Sequence, residues 1–329
     1  MADLFRMIKA YLIVCRYEYF PGELIALFIP ILIATNSFEQ FYSITVIEGV
    51  IAFILLYLSG FLINAWTDRD MDAKYQTFKT SIAWGVNYLG EKRLKTAIAF
   101  HLGISIILGA HICYRMGDLV PMVMILAGIF FGFGYSMKPF SFKTRGVLYH
   151  ILALGLCCFF IPLVFMFYVV SGGLTLDLFL FAFGFTMVHY ALEIGNQIQD
   201  YEEDLSEKLL TPIVRLGLKR SLGLALIFFM IGLPLMVALM YIWFNRRGSI
   251  RIAGPVLNDF FTISLISIVI FFGYLITIVG LFRMYREANN GGNLSSIMER
   301  IRSHINYAMW QISGVSGLFT VSILLFSTG

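Results

Sequence analysis

Charge is scarce in this sequence: Asp, Glu, Lys and Arg make up 13% of its 329 residues, while 59% are hydrophobic. That balance excludes a water-soluble globular domain, a disordered chain and a nucleic-acid-binding module, so no nucleic-acid partner is expected. Cysteine is sparse too. Cys15, Cys113, Cys157 and Cys158 lie in apolar stretches without paired spacing, which points to neither a disulfide framework nor a zinc site. Short alternating segments of the kind that build a membrane barrel are also missing. The apolar runs are continuous and about 20 residues long, the length a helix needs to cross the bilayer. The first run lacks a small-residue cleavage site and is interrupted by Arg16, Glu18 and Glu23, so a retained first span is expected, without a signal peptide.

What is present is a succession of apolar runs near residues 10–35, 41–66, 95–114, 118–137, 148–171, 175–196, 219–245, 259–282 and 308–328. They define an all-α membrane protein with nine transmembrane helices. Lys and Arg fall unevenly between the two sides. Nineteen lie in the N-terminal tail and the connections 67–95, 138–147, 197–220 and 283–307, against four on the opposite face. The excess places the N-terminus and those connections in the cytoplasm, as expected of a multi-pass integral protein. Residues 294–305 carry Leu294, Ile297, Met298, Ile301 and Ile305 at helical spacing, the pattern of an amphipathic strap at the membrane surface.

Two acidic stretches repeat. Residues 64–72 read NAWTDRDMD and residues 196–204 read NQIQDYEED, so Asn64, Asp68 and Asp72 recur as Asn196, Asp200 and Asp204. Each stretch follows an apolar span and contains neither Gly nor Pro, so each span is expected to continue as helix through its acids. Spacing of i, i+4 and i+8 puts the three oxygen-bearing side chains on one helix face, over about 12 Å of length. If the columns face one another, four carboxylates share a cavity with no obvious cation between them. Two like charges about 4 Å apart repel by about 4 kcal/mol at an effective dielectric near 20, so the set calls for divalent cations or raised pKa values. An all-oxygen donor set suits Mg²⁺, which keeps waters and is completed by a substrate phosphate.

These motifs resemble the UbiA superfamily of intramembrane prenyltransferases. LINAWTDRDMDA resembles the first aspartate-rich motif of that family, NDxxDxxxD, and IQDYEEDLSEKLLTPIVRLG resembles the second, DxxxDxxxG. YSMKPFSFKTRG at 135–146 resembles the family segment YSxPPxxxK(x)RG. The sequence departs from the pattern at Ala65, at Lys208, where the second motif has Gly, and in FKTSIAW, where Lys79 takes an Arg position. The resemblance implies one transmembrane domain over 1–329, with related halves at roughly 1–147 and 148–282 and a final helix at 308–328, around a central cavity. It further implies that Asn64 and Asp68 bind one Mg²⁺ and Asp200 and Asp204 the other, with Asp72 holding the cluster; Asn196 is the corresponding position in the second column.

The activity implied is transfer of an isoprenyl group from an allylic polyprenyl diphosphate to a hydrophobic acceptor, an aromatic, a quinone precursor or a lipid. Cationic or polar side chains are then needed around the diphosphate. Lys143, Arg145, Arg16, Lys79 and Tyr135 are the candidates, and Arg16 is costly inside a span unless it meets a partner or water. Glu193 and His189 lie one and two turns before the second motif, where they face the same cavity and can assist proton removal from an acceptor; for His189 the competing role is packing. His101, His111, His150 and His304 show no partner spacing. Two other activities fit in part. A terpene cyclase uses the same scaffold, and a cation transporter also carries intramembrane acids in repeated halves, but at mid-membrane in broken helices.

Overall fold

The computed structural model describes residues 2–17, 38–74, 79–247, 259–293 and 295–301, with single positions between 20 and 35 and between 303 and 307. All regular structure among them is helical. The elements are α1 (Ala2–Val14), α2 (Ile44–Asp72), α3 (Lys79–Met116), α4 (Val120–Ser136), α5 (Val147–Ser171), α6 (Leu176–Ile198), α7 (Tyr201–Ser206), α8 (Pro212–Leu216), α9 (Leu218–Arg247) and α10 (Asp259–Asn289). Ile44–Asp72, Ser81–Met116, Val147–Ser171, Leu176–Ile198 and Leu218–Leu239 are long and apolar enough to cross a membrane, and Val120–Ser136 is a shorter apolar helix. The last predicted span, 308–328, lies outside the described residues, as does most of 18–37.

The first predicted span is corrected at its start. Helix begins at Ala2 and ends at Val14, and Arg16 takes a left-handed backbone with φ 51°. The connection expected over 67–95 is largely helix as well. From Lys79 the chain coils, bends at Gly90 and runs on to Met116. Ile82, Val86 and Leu89 recur at helical spacing there and bury against Ala10 and Val14 of α1, which explains why a charged segment folds instead of looping. Gly90, at φ 76° and ψ 155°, occupies a region open essentially to glycine alone.

α2 packs mainly on α3, and α6 mainly on α9, which continues against α10. α5 contains one turn of π-helix, Gly155–Phe160. The expected surface strap is corrected in part. Ile297 and Ile301 are fully buried in the protein core, with Met298 packed beside them, while Leu294 and Ile305 lie outside the described residues. Arg300 pairs with Glu287 at the end of α10.

Candidate active site

The two acidic stretches end up side by side. Asn64, Asp68 and Asp72 lie on the last turns of α2, which stays helical to Asp72 as expected. The second stretch differs from expectation: α6 stops at Ile198, and Gln199 and Asp200 bond back only three residues, to Asn196 and Gln197. Helix resumes as α7, where the Asp204 amide donates to the Asp200 carbonyl at 2.8 Å. Tightening to this 3₁₀-type bonding breaks the column without Gly or Pro. α7 in turn ends at Ser206, and Lys208, just past its cap Glu207, has a left-handed φ of 56°, the conformation a terminating glycine adopts without strain.

The walls are then joined by polar contacts. Thr211 caps α8 and its hydroxyl donates to Asp204 at 3.1 Å. Arg215, from the TPIVRLG tail, donates to the Thr144 carbonyl at 3.0 Å and so ties that tail to the turn carrying Lys143. Lys143 donates to Asp68. Arg16 donates to Asn64 at 3.1 Å, and the Asn64 amide donates to Asp68 at 2.9 Å and to Ser136 at 3.0 Å. The expectation of a carboxylate cluster without local cations is therefore corrected. Both Lys143 and Arg16 come from segments distant in sequence, which is why spacing did not reveal them as partners.

One cavity of about 370 Å³ collects these groups. It is lined by all six oxygen-bearing side chains of the two columns, Asn64, Asp68, Asp72, Asn196, Asp200 and Asp204, and by Arg16, Tyr135, Lys143 and Glu193. Asp72 and Asp204 are only 3% and 5% exposed. Burying several carboxylates together is costly unless positive charge or hydrogen bonds offset them. Among the described residues no three His, Cys, Asp or Glu side chains are gathered closely enough to hold a metal by themselves. Hard oxygen donors spread over facing walls fit a divalent cation that retains waters and takes further ligands from a phosphate.

One candidate, Arg145, stands apart from the cavity lining. Arg145 is exposed and donates to the Pro139 carbonyl. Lys79 opens α3, and its side chain lies outside the described residues. His150 is the residue that sequence reasoning missed. It is 1% exposed, its Nδ1 is 2.6 Å from the Tyr190 hydroxyl, and its Nε2 meets Gln197 at 2.8 Å and Tyr135 at 3.1 Å. Gln197 also donates to Glu193 at 3.1 Å, and Asn196 donates to the other oxygen at 3.3 Å. His189 stacks on Phe185 with ring centroids 3.7 Å apart and donates from Nδ1 to the Phe185 carbonyl at 2.9 Å, so packing holds its ring at the cavity wall.

A profile of the UbiA prenyltransferase family matches residues 24–288. The chain belongs to that family. The fold comparison agrees: a UbiA homologue from Archaeoglobus fulgidus, bound to GPP and Mg²⁺, superposes with a TM-score of 0.63 at 18% identity, covering 96% of this chain and 100% of that one. The apo UbiA homologue from Aeropyrum pernix K1 gives 0.62 at 15% identity, with 94% and 98% covered. A structure on the biosynthesis of digeranylgeranylglyceryl phosphate synthase in membranes gives 0.57 at 16%, with 99% and 100% covered. No curated protein matches the chain. As a UbiA-family member it is an all-helical protein with apolar helices of membrane-crossing length.

Proposed function

We propose that this protein is a Mg²⁺-dependent polyprenyltransferase that moves an isoprenyl group from an allylic diphosphate to a hydrophobic acceptor and releases pyrophosphate. The observation that carries the reading is the convergence of both oxygen columns, with Lys143 and Arg16, on one cavity. The Archaeoglobus homologues seen with GPP or DMAPP and Mg²⁺ support it.

In this reading Asn64 and Asp68 hold one cation and Asp200 and Asp204 the other, with Asp72 and Asn196 completing the shells. Bound Mg²⁺ supplies positive charge against the charge that develops on the leaving diphosphate. Lys143 turns from Asp68 to a phosphate oxygen, a charge-assisted contact. Arg16 reaches the diphosphate from its place on Asn64, and Tyr135 orients it through its hydroxyl. Apolar and aromatic wall residues such as Phe53, Phe133 and Phe165 exclude water from the allylic carbon and present ring faces to positive charge. Glu193, fixed by Gln197 and Asn196, receives the proton that the acceptor loses. The basic excess supports a cytoplasmic setting for this end of the bundle.

The test incubates purified protein with allylic diphosphates of graded length and Mg²⁺ and measures pyrophosphate release and prenylated product. Release is expected in wild type and lost in Asp68→Asn and in Asp200→Asn, with both variants still folded by circular dichroism. Wild type that releases no pyrophosphate at any chain length overturns the reading.

A further inference from the structure

Two thiols face the cavity from a single broken turn. Successive side chains on an α-helix diverge by about 100°, which separates neighbours. Cys157 and Cys158 instead both line the cavity, with sulfurs 3.4 Å apart, and they sit in the π turn Gly155–Phe160 of α5. Local sequence explains the turn. Pro162 has no N–H to offer the carbonyl of Cys158, four residues back, and the Ile161 amide reaches the Leu156 carbonyl, five back. The wider turn narrows the angle between neighbours and brings the thiols together. Neither is in a disulfide. Cys15 and Cys113 are buried and do not line this cavity.

We propose that Cys157 and Cys158 form a vicinal dithiol site in the cavity wall that captures trivalent arsenicals. With phenylarsine oxide both S–H bonds and the arsenic–oxygen bond break, two As–S bonds form, and the two hydrogens leave with the oxygen as one water. Arsenic stays trivalent and sulfur is not oxidised. Soft sulfur donors favour such a centre, and closing the second bond is intramolecular, so a pair retains it where a single thiol does not. The phenyl group then occupies the apolar part of the cavity beside Phe159 and Phe165.

Full-length protein in detergent is treated with equimolar phenylarsine oxide and its intact mass is recorded. One adduct is expected that survives excess 2-mercaptoethanol and is removed by 2,3-dimercaptopropanol. Cys157→Ser and Cys158→Ser each lose that stable adduct, with Cys→Ala versions as a second check, while the Cys15→Ser/Cys113→Ser double variant retains it. No adduct in wild type, a stable adduct retained in either cavity variant, or its loss from the double variant overturns the proposal. Pyrophosphate release is measured on the adduct and is expected to be lost; unchanged release overturns occupation of the cavity. That last arm rests on the proposed transferase activity, whereas the mass readout stands without it.

Discussion

Asp68 illustrates how a single side chain is shared between structure and chemistry. It accepts from Asn64 and from Lys143, so a cation is already in place where the first column needs one. A hydrogen bond to a charged group contributes about 1.5–3 kcal/mol, and every 1.4 kcal/mol is about tenfold. Lys143→Ala is therefore expected to lower kcat/KM by about tenfold to a hundredfold in a pyrophosphate-release assay, and an unchanged value removes Lys143 from diphosphate binding. Lys208 offers a separate prediction about stability. Its left-handed backbone costs about 1–2 kcal/mol in a residue with a Cβ, while glycine forfeits about 0.4–1 kcal/mol through its freer unfolded chain. The difference favours glycine by about 0–1.6 kcal/mol. Lys208→Gly should raise the thermal midpoint in detergent; a lower midpoint contradicts this account.

At the scale of elements, the bend in α3 rests on one residue. A Cβ at Gly90 would meet nothing within 4 Å, so any penalty there comes from the backbone alone. The conformation is worth about 1–3 kcal/mol against a residue other than glycine. Gly90→Ala is expected to lower the thermal midpoint accordingly, and an unshifted midpoint shows that α3 straightens without loss. The elements also explain what could be read beforehand. The first oxygen column was legible because α2 is regular to Asp72, so spacing translates directly into a shared face. The second was legible as a ligand set but not in shape. Its break at Gln199 and Asp200 arises from hydrogen bonding, without a residue type that marks it. The helix over 79–90 was hidden because its charges count toward topology while its buried stripe answers to α1, a partner that only the fold supplies. His150 was illegible for the same reason: its partners Tyr135, Tyr190 and Gln197 come from α4 and α6.

For the molecule as a whole, the decisive relation is that stretches 132 positions apart in the chain face each other across one chamber. Just beyond the two columns, Lys74 donates to Glu207 at 2.6 Å, an exposed pair that contributes little energy but reports closeness. Lys74→Cys/Glu207→Cys, in a background with the four native cysteines replaced, should cross-link with a short bismaleimide and migrate as a cross-linked monomer on a denaturing gel. Absence of intramolecular product separates the columns and removes the basis of the shared site.

Polar contacts join the apolar packing of α1 on α3. Tyr11 meets His101 at 3.0 Å, and Tyr88 donates to Asp3 at 2.6 Å, holding α1 along α3, and two residues past its end Arg16 enters the chamber. The amino-terminal segment is thus a removable source of positive charge for a compartment with an acidic surplus. Peeling it from α3 would subtract that charge and its contact to Asn64 while leaving every carboxylate of the two stretches in place, so whatever perturbs α1 is felt electrically in the chamber.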